Sequence, residues 1–324
     1  MIERARAGST FIIATRNRPK DLLNTVSSLL QQTVLPGELC IVDSSEEATA
    51  RADIEELCAE VGLTLDYHHP APRGLTLQRN VGIDRTSGDP VFLIDDDVDL
   101  AVECHEEILK EYDRWGDELG GVAPIQARPA RPPIYSVLWR RIFGIGGWWP
   151  EASGKVRSGF WVEGISECAG VRKVDSFLGF FMSFRRKVFD HERFDEALAG
   201  YADKEDIDFT YRVSRRFFLV HTPRAKCDHL KTQTSRMTES QVQRMKLSNH
   251  LYLHRKNMPQ DFRHKAALWW GFLGLFVLNV GQALFKRESG LMSGMFVAGW
   301  EQLRGKGLID PAVKAAKKVR RSVG

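Results

Sequence analysis

Three consecutive carboxylates, Asp95, Asp96 and Asp97, are the residues of this chain whose types and spacing most directly indicate chemistry. They follow four apolar residues at 91–94, which come after a Ser-Gly-Asp-Pro turn sequence and predict a buried strand. In an open α/β sheet, ligands bind beyond the carboxyl ends of the strands. Adjacent carboxylates raise one another's pKa, and a divalent cation is the usual reason to keep them ionised together. The triplet therefore predicts a cation site at the rim of a sheet; the alternative is an acidic loop in which Asp99 caps the following helix.

The elements that would hold this triplet form a βαβ pattern. Residues 10–125 alternate short apolar runs with amphipathic helical patterns, which is typical of parallel strands covered by helices. We expect strands at 10–14, 39–42, 64–67 and 91–94, and helices from Pro19 onward, at 50–61 and at 75–85. An aromatic strand at 176–184 and a helix beginning near Lys204 are predicted further along.

Polar residues stand at the ends of the predicted strands and on the helix before the fourth strand. Because the carboxyl ends of parallel strands meet at one edge of a sheet, we expect these side chains to converge beside the triplet. They are Thr15, Asn17, Arg18, Asp43, Arg79 and Asn80. No G-x-G-x-x-G or G-x-x-x-x-G-K-[ST] sequence follows any of the strands, which argues against a dinucleotide-binding or P-loop enzyme.

The composition is that of a globular protein. The chain has 324 residues, of which 43% are hydrophobic and 27% charged, so it can form one large or two small domains. A net charge of +4 without a basic stripe does not indicate a nucleic-acid partner. The five cysteines are odd in number and widely spaced, as expected of reduced thiols. The start of the sequence lacks the apolar run of a signal peptide, so we expect the globular part on the cytoplasmic side.

The C-terminal part is apolar enough to suggest a membrane surface as a partner. Residues 266–285 carry no charge and are flanked by basic residues, and twenty helical residues span about 30 Å. Because Asn279 and Gln282 interrupt this stretch, a re-entrant or in-plane helix pair with the apolar segment at 291–303 is favoured over a single span, with a buried soluble helix as the alternative. The basic tail suits either anionic headgroups or solvent. The tryptophan-rich segment at 135–149 is a mobile substrate loop, a membrane-touching patch or a packed insertion.

The order and spacing of several motifs resemble those of family 2 glycosyltransferases. The resemblance runs from T-R-N-R-P at 15–19 to His229, about two thirds of the chain. Its strongest parts are I-V-D-S-S at 41–45, R-N-V-G-I at 79–83, the aspartate triplet, F-D-E at 194–196 and E-D-I-D-F at 205–209. It implies an α/β fold of the GT-A type, a Rossmann-like mixed sheet flanked by helices, to which the apolar C-terminal segments would add membrane-associated helices.

The resemblance also implies a donor site. Asp43 would hydrogen-bond the nucleotide base, and Thr15, Asn17 and Arg79 would shape the base and diphosphate pocket, with Arg18 and Asn80 among the substrate contacts. Asp95 would face the ribose and the metal, Asp97 a Mg²⁺ or Mn²⁺ ion, and His229 the metal or diphosphate, while Asp96 could share either role. The structural alternatives are that Asp43 caps a helix and that His229 is a loop histidine.

On the acceptor side, the resemblance implies that Asp206 is the general base and that Glu205 binds substrate. Gly179 would allow close backbone approach, and the turn at 194–196 would support the base. The i, i+2 spacing makes Asp208 a cap or a salt-bridge partner. One departure stands at Lys204, where this family often has Gly or Thr.

Together these observations predict an inverting, metal-dependent transferase. It would move a sugar from a nucleoside-diphosphate sugar to a hydroxyl of a glycan or lipid-linked acceptor, at the cytoplasmic face of a membrane, in surface polysaccharide biosynthesis. The alternatives are a metal-dependent phosphatase or hydrolase, and a non-catalytic glycan-binding scaffold. The predicted parts are a catalytic domain at 8–235, a helical connection at 236–262, apolar membrane-associated helices at 263–305 and a basic tail at 306–324.

Overall fold

The computed structural model describes residues 5–129, 131–198, 202–230 and 239–286. Its strands are β1 (Ala5–Arg6), β2 (Thr10–Thr15), β3 (Val34–Leu35), β4 (Glu38–Asp43), β5 (Thr64–His68), β6 (Val91–Asp95), β7 (Val98–Leu100), β8 (Leu119–Gln126), β9 (Gly147–Trp149), β10 (Glu163–Ile165), β11 (Arg172–Val174), β12 (Phe181–Phe184) and β13 (Phe218–His229). Its helices are α1 (Pro19–Leu30), α2 (Arg51–Glu60), α3 (Leu75–Arg85), α4 (Cys104–Trp115), α5 (Ile134–Ile142), α6 (Glu205–Ser214), α7 (Glu239–Asn257) and α8 (Phe262–Lys286), with 3₁₀ turns at Gly116–Glu118 and Arg186–Asp190.

The main sheet is mixed. Among the described residues its order is β11-β13-β8-β12-β6-β2-β4-β5, with β7 paired to the end of β13. Strands β6, β2, β4 and β5 are parallel, whereas β12 runs antiparallel to both β6 and β8. The parallel half carries the predicted βαβ units. Beyond β6 the sheet continues through the antiparallel strand β12 to β8 and β13, which are parallel to each other.

Both faces of the central strands are buried, which explains why they read as nearly continuous apolar runs. In β2, Phe11 and Ile13 pack into the core formed with α1, α2 and α4, whereas Ile12 packs on the opposite face with residues of α3 and α6. This alternation is the period of two that strand geometry imposes. At the strand ends, polar side chains replace the apolar ones.

The structure confirms the four strands and three helices predicted before residue 95, and α3 has the predicted bounds of 75–85. The predicted strand at 176–184 is wrong in length, since only Phe181–Phe184 pairs with β6. The residues before it turn toward α6, where the Gly179 N–H bonds Asp206. The alternative in which Asp99 caps a helix is also wrong, because Asp99 lies in β7 and α4 begins at Cys104.

Helix α7 contacts α6, and α5 and α8 pack together with α7. The segment at 135–149 forms most of α5 together with β9, and α7 and α8 follow after the described part of the sheet. The helix predicted at 266–285 lies within α8. No helix in the described ranges is both long and apolar enough to cross a bilayer. The apolar segment at 291–303, the basic tail at 306–324 and the boundary at 235/236 lie outside the described residues.

Candidate active site

Asp95, Asp97 and His229 come together where three strands meet. Asp95 ends β6, Asp97 lies in the turn that follows, and His229 ends β13 beside Val98 of β7. One ligand atom from each residue lies within 4.8 Å of the others, and His229 Nε2 is 3.1 Å from a carboxylate oxygen of Asp97. Two carboxylates and an imidazole form a donor set that suits a divalent cation such as Mn²⁺. The structure thus brings together the three metal ligands predicted from the sequence.

Phe180 supports this cluster, a role that the sequence did not indicate. Its ring stacks on the His229 imidazole, with centroids 4.9 Å apart, and its carbonyl accepts the Asp95 N–H at 2.9 Å. Burial raises the pKa of Asp95, and the Asp97 charge raises it further, while Arg79 and His229 lower it. A bound cation would offset this repulsion.

Asp96 belongs to a different set of contacts from its neighbours. Its carboxylate accepts hydrogen bonds from the Thr15 hydroxyl at 2.7 Å and from Arg18 Nη1 at 2.8 Å. Arg18 Nη1 also lies 3.2 Å from an Asp97 oxygen. Burial raises the pKa of Asp96 to about 6, against the lowering effect of these two donors. Thr15 and Arg18 therefore fix the turn that carries the triplet.

Arg79 connects the two acidic groups of the site. This guanidinium is only 2% exposed, and it bonds Asp95 at 3.0 Å, Glu205 at 3.0 Å and the Gly179 carbonyl at 2.8 Å. Glu205 is thus paired with Arg79, and its pKa is raised well above the usual range by burial and then by the charge of Asp206. Because Arg79 of α3 bonds both acids, it fixes the position of Asp95 relative to Glu205 at the start of α6.

Asp206 is held by backbone donors at the start of α6. Its carboxylate accepts the Gly179 N–H at 2.7 Å and the Ile207 N–H at 2.8 Å. Burial raises its pKa to about 6, while the two backbone hydrogen bonds and Arg79 lower it. Gly179 has the close approach predicted from the sequence, since a Cβ there would lie 3.0 Å from Cβ of Asp206. The two backbone donors therefore fix the orientation of this carboxylate, the candidate proton acceptor.

Asp43 lies at the end of β4, where it is buried. It accepts the Tyr67 hydroxyl at 2.7 Å and the Ser45 N–H at 2.8 Å. Tyr67 was not predicted, although its place on the neighbouring strand β5 puts it beside Asp43. Asn17 lies across from this turn with a left-handed φ of 57°, and its N–H bonds the Ser45 hydroxyl at 2.7 Å.

Asn80 lies apart from these clusters. Its carboxamide bonds the Phe194 backbone on both sides and Glu196 at 3.1 Å. These contacts occupy the side chain with the F-D-E turn. Asp195 of the same turn accepts Tyr252 Oη and Lys256 Nζ from α7, each at 2.7 Å. The turn therefore links α3 to α7.

Asp208 is a salt-bridge partner, one of the two alternatives that its spacing indicated. It is fully buried and pairs with Arg212 at 3.0 Å and with Lys256 of α7 at 2.8 Å. The residue before α6, Lys204, has a left-handed φ of 70° and bonds Nδ1 of His250. Its ammonium lies 5.2 Å from the Trp161 ring centroid. No sequence signal indicated His250 or Trp161, because both reach Lys204 through tertiary packing.

Known proteins share this sequence and fold in part. Residues 10–156 match the model of the family described as Glycosyl transferase family 2. No curated protein sequence matches the chain. Among solved structures, GalNAc-T7 with UDP, GalNAc and Mn²⁺ is 15% identical with a TM-score of 0.55, over 76% of this chain and 48% of that one, so the chain spans about half the length of that protein.

Two further structures match over most of their length. Mannosyltransferase PcManGT from Pyrobaculum calidifontis, in complex with GDP-Man and Mn²⁺, is 14% identical with a TM-score of 0.55, over 92% of this chain and 87% of that one. S. aureus TarS 1-349 is 15% identical with a TM-score of 0.51, over 90% and 78%. At such identities the likeness concerns the fold. Residues 10–156 are therefore similar to glycosyl transferase family 2, and the chain has an α/β fold of the GT-A type.

Proposed function

We propose that this chain transfers a sugar from a nucleoside-diphosphate sugar to a hydroxyl of a glycan or lipid-linked acceptor, with inversion at the anomeric carbon. The observation that carries the proposal is the Arg79 bridge. Asp95, a candidate cation ligand, and Glu205 at the start of α6, next to Asp206, both bond this one buried guanidinium. Sugar transfer needs both groups, one beside the leaving diphosphate and one beside the attacking hydroxyl.

Asp95, Asp97 and His229 would hold a Mg²⁺ or Mn²⁺ ion. When bound, such an ion stabilises the charge that develops on a diphosphate leaving group. Two solved structures of similar fold, GalNAc-T7 and PcManGT, contain Mn²⁺ together with UDP and GalNAc or with GDP-Man. This supports a metal-dependent donor site of the same kind in this chain.

The remaining steps belong to the chain's own residues. Asp43, with Tyr67 beside it, would bind the nucleotide base. Asp206 would take the proton of the acceptor hydroxyl as that oxygen attacks, and attack from the face opposite the diphosphate inverts the sugar. A carboxylate with a pKa of about 6 is mostly ionised at neutral pH yet basic enough to accept this proton.

The family match supports a transferase over the phosphatase and hydrolase alternatives. The presence of Asp43 and Asp97 at one sheet edge, together with Asp206 at the start of α6, supports an active enzyme over a binding scaffold. An acceptor in surface polysaccharide biosynthesis and a place at the cytoplasmic face of a membrane are the further parts of the proposal. They are supported by the apolar character of α8.

Calorimetric titration with a panel of nucleoside diphosphates, with and without Mn²⁺, tests this proposal. One diphosphate should bind in the presence of Mn²⁺ only, and Asp97→Ala should abolish that binding. The matched control is Asp99→Ala, which removes an exposed carboxylate two positions further along and should leave binding unchanged. If no diphosphate binds, or if Mn²⁺ has no effect on binding, the proposed donor site is wrong.

A further inference from the structure

The exposed apolar side chains of this protein are concentrated on two helices. Among the described residues, every large hydrophobic side chain that is exposed lies on α5 or α8, apart from Val102 and Leu230. On α8, Phe262, Trp269, Leu273 and Val277 recur at helical spacing and form a stripe along its outer face. Trp269 is 60% exposed and Leu273 47% exposed. Scattered exposed apolar residues are ordinary, but a continuous stripe indicates a binding surface.

Helix α5 continues this surface. Ile134, Tyr135, Leu138 and Ile142 are all exposed, and Ile134 is 87% exposed. The two helices are joined by reciprocal indole hydrogen bonds, from Trp139 Nε1 to the Gly274 carbonyl at 3.1 Å and from Trp270 Nε1 to the Ile142 carbonyl at 2.9 Å. Their outward faces therefore form one surface, which we call the α5–α8 patch.

The inner face of α8 fixes which side points outward. Leu268 and Phe272 are buried with Ile145 and Trp161. A Cβ added at Gly271 would lie 2.4 Å from the Trp161 ring, and one added at Gly274 would lie 2.3 Å from the ring of Phe143. Such close approach leaves no room for the helix to rotate. The apolar outer stripe is thus a fixed feature of the surface.

The charged residues within the two helices are all basic, and the acid nearest to them in sequence, Asp261, pairs with His264 of α8. Neither α5 nor α8 contains an acidic residue, while Arg140 and Arg141 lie near the end of α5 and Arg263 and Lys265 are exposed at the start of α8. An apolar face with tryptophan and tyrosine, bordered by cations, is typical of helices that lie in the interface of an anionic bilayer. Each cation near such a surface adds to the attraction.

We propose that the α5–α8 patch binds the surface of an anionic phospholipid bilayer, with both helices lying in its plane. The patch needs no bound donor, so bilayer binding is independent of catalysis. Its use in reaching a lipid-linked acceptor rests on the proposed function. Trp161, which contacts α8, also lies against Lys204, the residue before Glu205 and Asp206. Trp161 therefore connects the α5–α8 patch to the start of α6, the helix that carries the candidate base.

Vesicle cosedimentation of the full chain tests this proposal. The vesicles contain phosphatidylcholine alone or mixed with phosphatidylglycerol, and EDTA is present so that donor-site chemistry plays no part. We expect binding to the anionic vesicles, weakened about tenfold or more by Leu138→Ser with Leu273→Ser. The matched control, Val102→Ser with Leu230→Ser, changes two apolar side chains of similar exposure outside the patch and should bind like the unmodified chain. Arg263→Gln with Lys265→Gln should remove most of the preference for phosphatidylglycerol.

A second measurement does not depend on how well the serine variants fold. The five native cysteines are buried, so an environment-sensitive thiol dye will label Leu273→Cys selectively. Its emission should shift to shorter wavelength on addition of anionic vesicles, whereas the same dye on Val102→Cys should not respond. The proposal is overturned if the unmodified chain stays in the supernatant with anionic vesicles, or if the patch variant binds as tightly as the control. It is also overturned if no vesicle binding occurs and light scattering shows that the unmodified chain is a dimer and the patch variant a monomer. The patch would then join two copies of the chain.

Discussion

Arg79 shows how one side chain can organise a site of opposing charges. Its planar guanidinium presents several donors in a fixed arrangement, which an ammonium group cannot reproduce. In this chain three of its contacts go to Asp95, Glu205 and the Gly179 carbonyl, all at 3.0 Å or less. Two buried or partly buried carboxylates therefore share one compensating charge, and neither would be stable in place without it.

Arg79→Lys tests this directly. Because lysine can satisfy at most part of the three contacts, we expect the free energy of unfolding to fall by about 2–3 kcal/mol. Urea unfolding monitored by fluorescence measures the change. The matched control is Arg85→Lys on the same helix, whose ion pair with Asp66 is 40% and 27% exposed and whose loss should cost less than about 1 kcal/mol. Equal effects of the two changes would contradict the bridging role.

Asp206→Asn separates the candidate base from its neighbour. We expect turnover to fall about a hundredfold to ten-thousandfold, because asparagine cannot accept the acceptor proton. Diphosphate affinity should not change. Any gain in stability from removing the buried charge is offset, because the asparagine NH2 would face a backbone N–H, that of Gly179 or Ile207. Glu205→Gln should instead lower stability, because Arg79 loses a charged partner. Steady-state kinetics and urea unfolding of both variants distinguish these roles. If Glu205→Gln loses more turnover than Asp206→Asn and keeps its stability, Glu205 rather than Asp206 is the base.

The types of the site residues were predictable from the sequence, but their partners were not. Asp97 was identified because clustered carboxylates indicate a cation site, and His229 because of the resemblance to family 2 glycosyltransferases. Asn80 was expected to contact substrate, whereas its carboxamide bonds Phe194 and Glu196. That difference depends on the direction in which α3 presents each side chain. Arg79 faces the site and the next residue, Asn80, faces the turn at 194–196. The sequence does not show this difference, because it depends on how α3 packs.

At the scale of elements, the parallel half of the sheet was predictable because each strand and helix carries its own periodicity. The order of strands β8, β12 and β13 was not predictable, since it depends on pairing between residues far apart in the chain. Ser183, for example, lies opposite Val122, 61 positions earlier. The apolar run at 135–149 was ambiguous for a related reason. In α5 the apolar residues face outward, so periodicity alone cannot say what covers them.

Gly179 gives a prediction at this scale, because it sets how closely the segment before β12 approaches α6. In Gly179→Ala the new Cβ would lie 3.0 Å from Cβ of Asp206 and 3.2 Å from Oε1 of Glu205. The start of α6 must then shift by a few tenths of an ångström, and we expect kcat to fall about tenfold with little change in diphosphate affinity. The control is Gly170→Ala, where a Cβ meets no atom within 4 Å. A Gly179→Ala enzyme with unchanged kcat would mean that the base tolerates this displacement.

At the scale of the whole molecule, the site is assembled from every layer of the fold. The proposed donor side lies on the ends of β2, β4 and β6, and the candidate base, Asp206, lies on α6. Helix α7 holds α6 through Lys256 and its contacts with Asp195 and Asp208. Helix α8 in turn packs on Trp161, which lies against Lys204. The protonation state of Asp206 therefore depends on groups from several elements, and the pH dependence of activity reports on their arrangement.

The sign of that dependence follows from the direction of the pKa shift. Burial raises the pKa of Asp206 to about 6, from an ordinary value of about 3.9. Below pH 6 the carboxylate is protonated and cannot act as a base, so kcat/KM at saturating Mn²⁺ should rise as the pH increases through about 6. The Lys204 ammonium, whose pKa burial lowers to about 8, is charged in this range and interacts favourably with Asp206. Lys204→Met should therefore move the midpoint to higher pH, whereas Lys155→Met, which removes an exposed cation paired with Asp175, should leave it in place. If the midpoint in Lys204→Met is the same as in the unmodified enzyme, a group other than Asp206 controls the rate, because removing the neighbouring charge should shift the titration of Asp206.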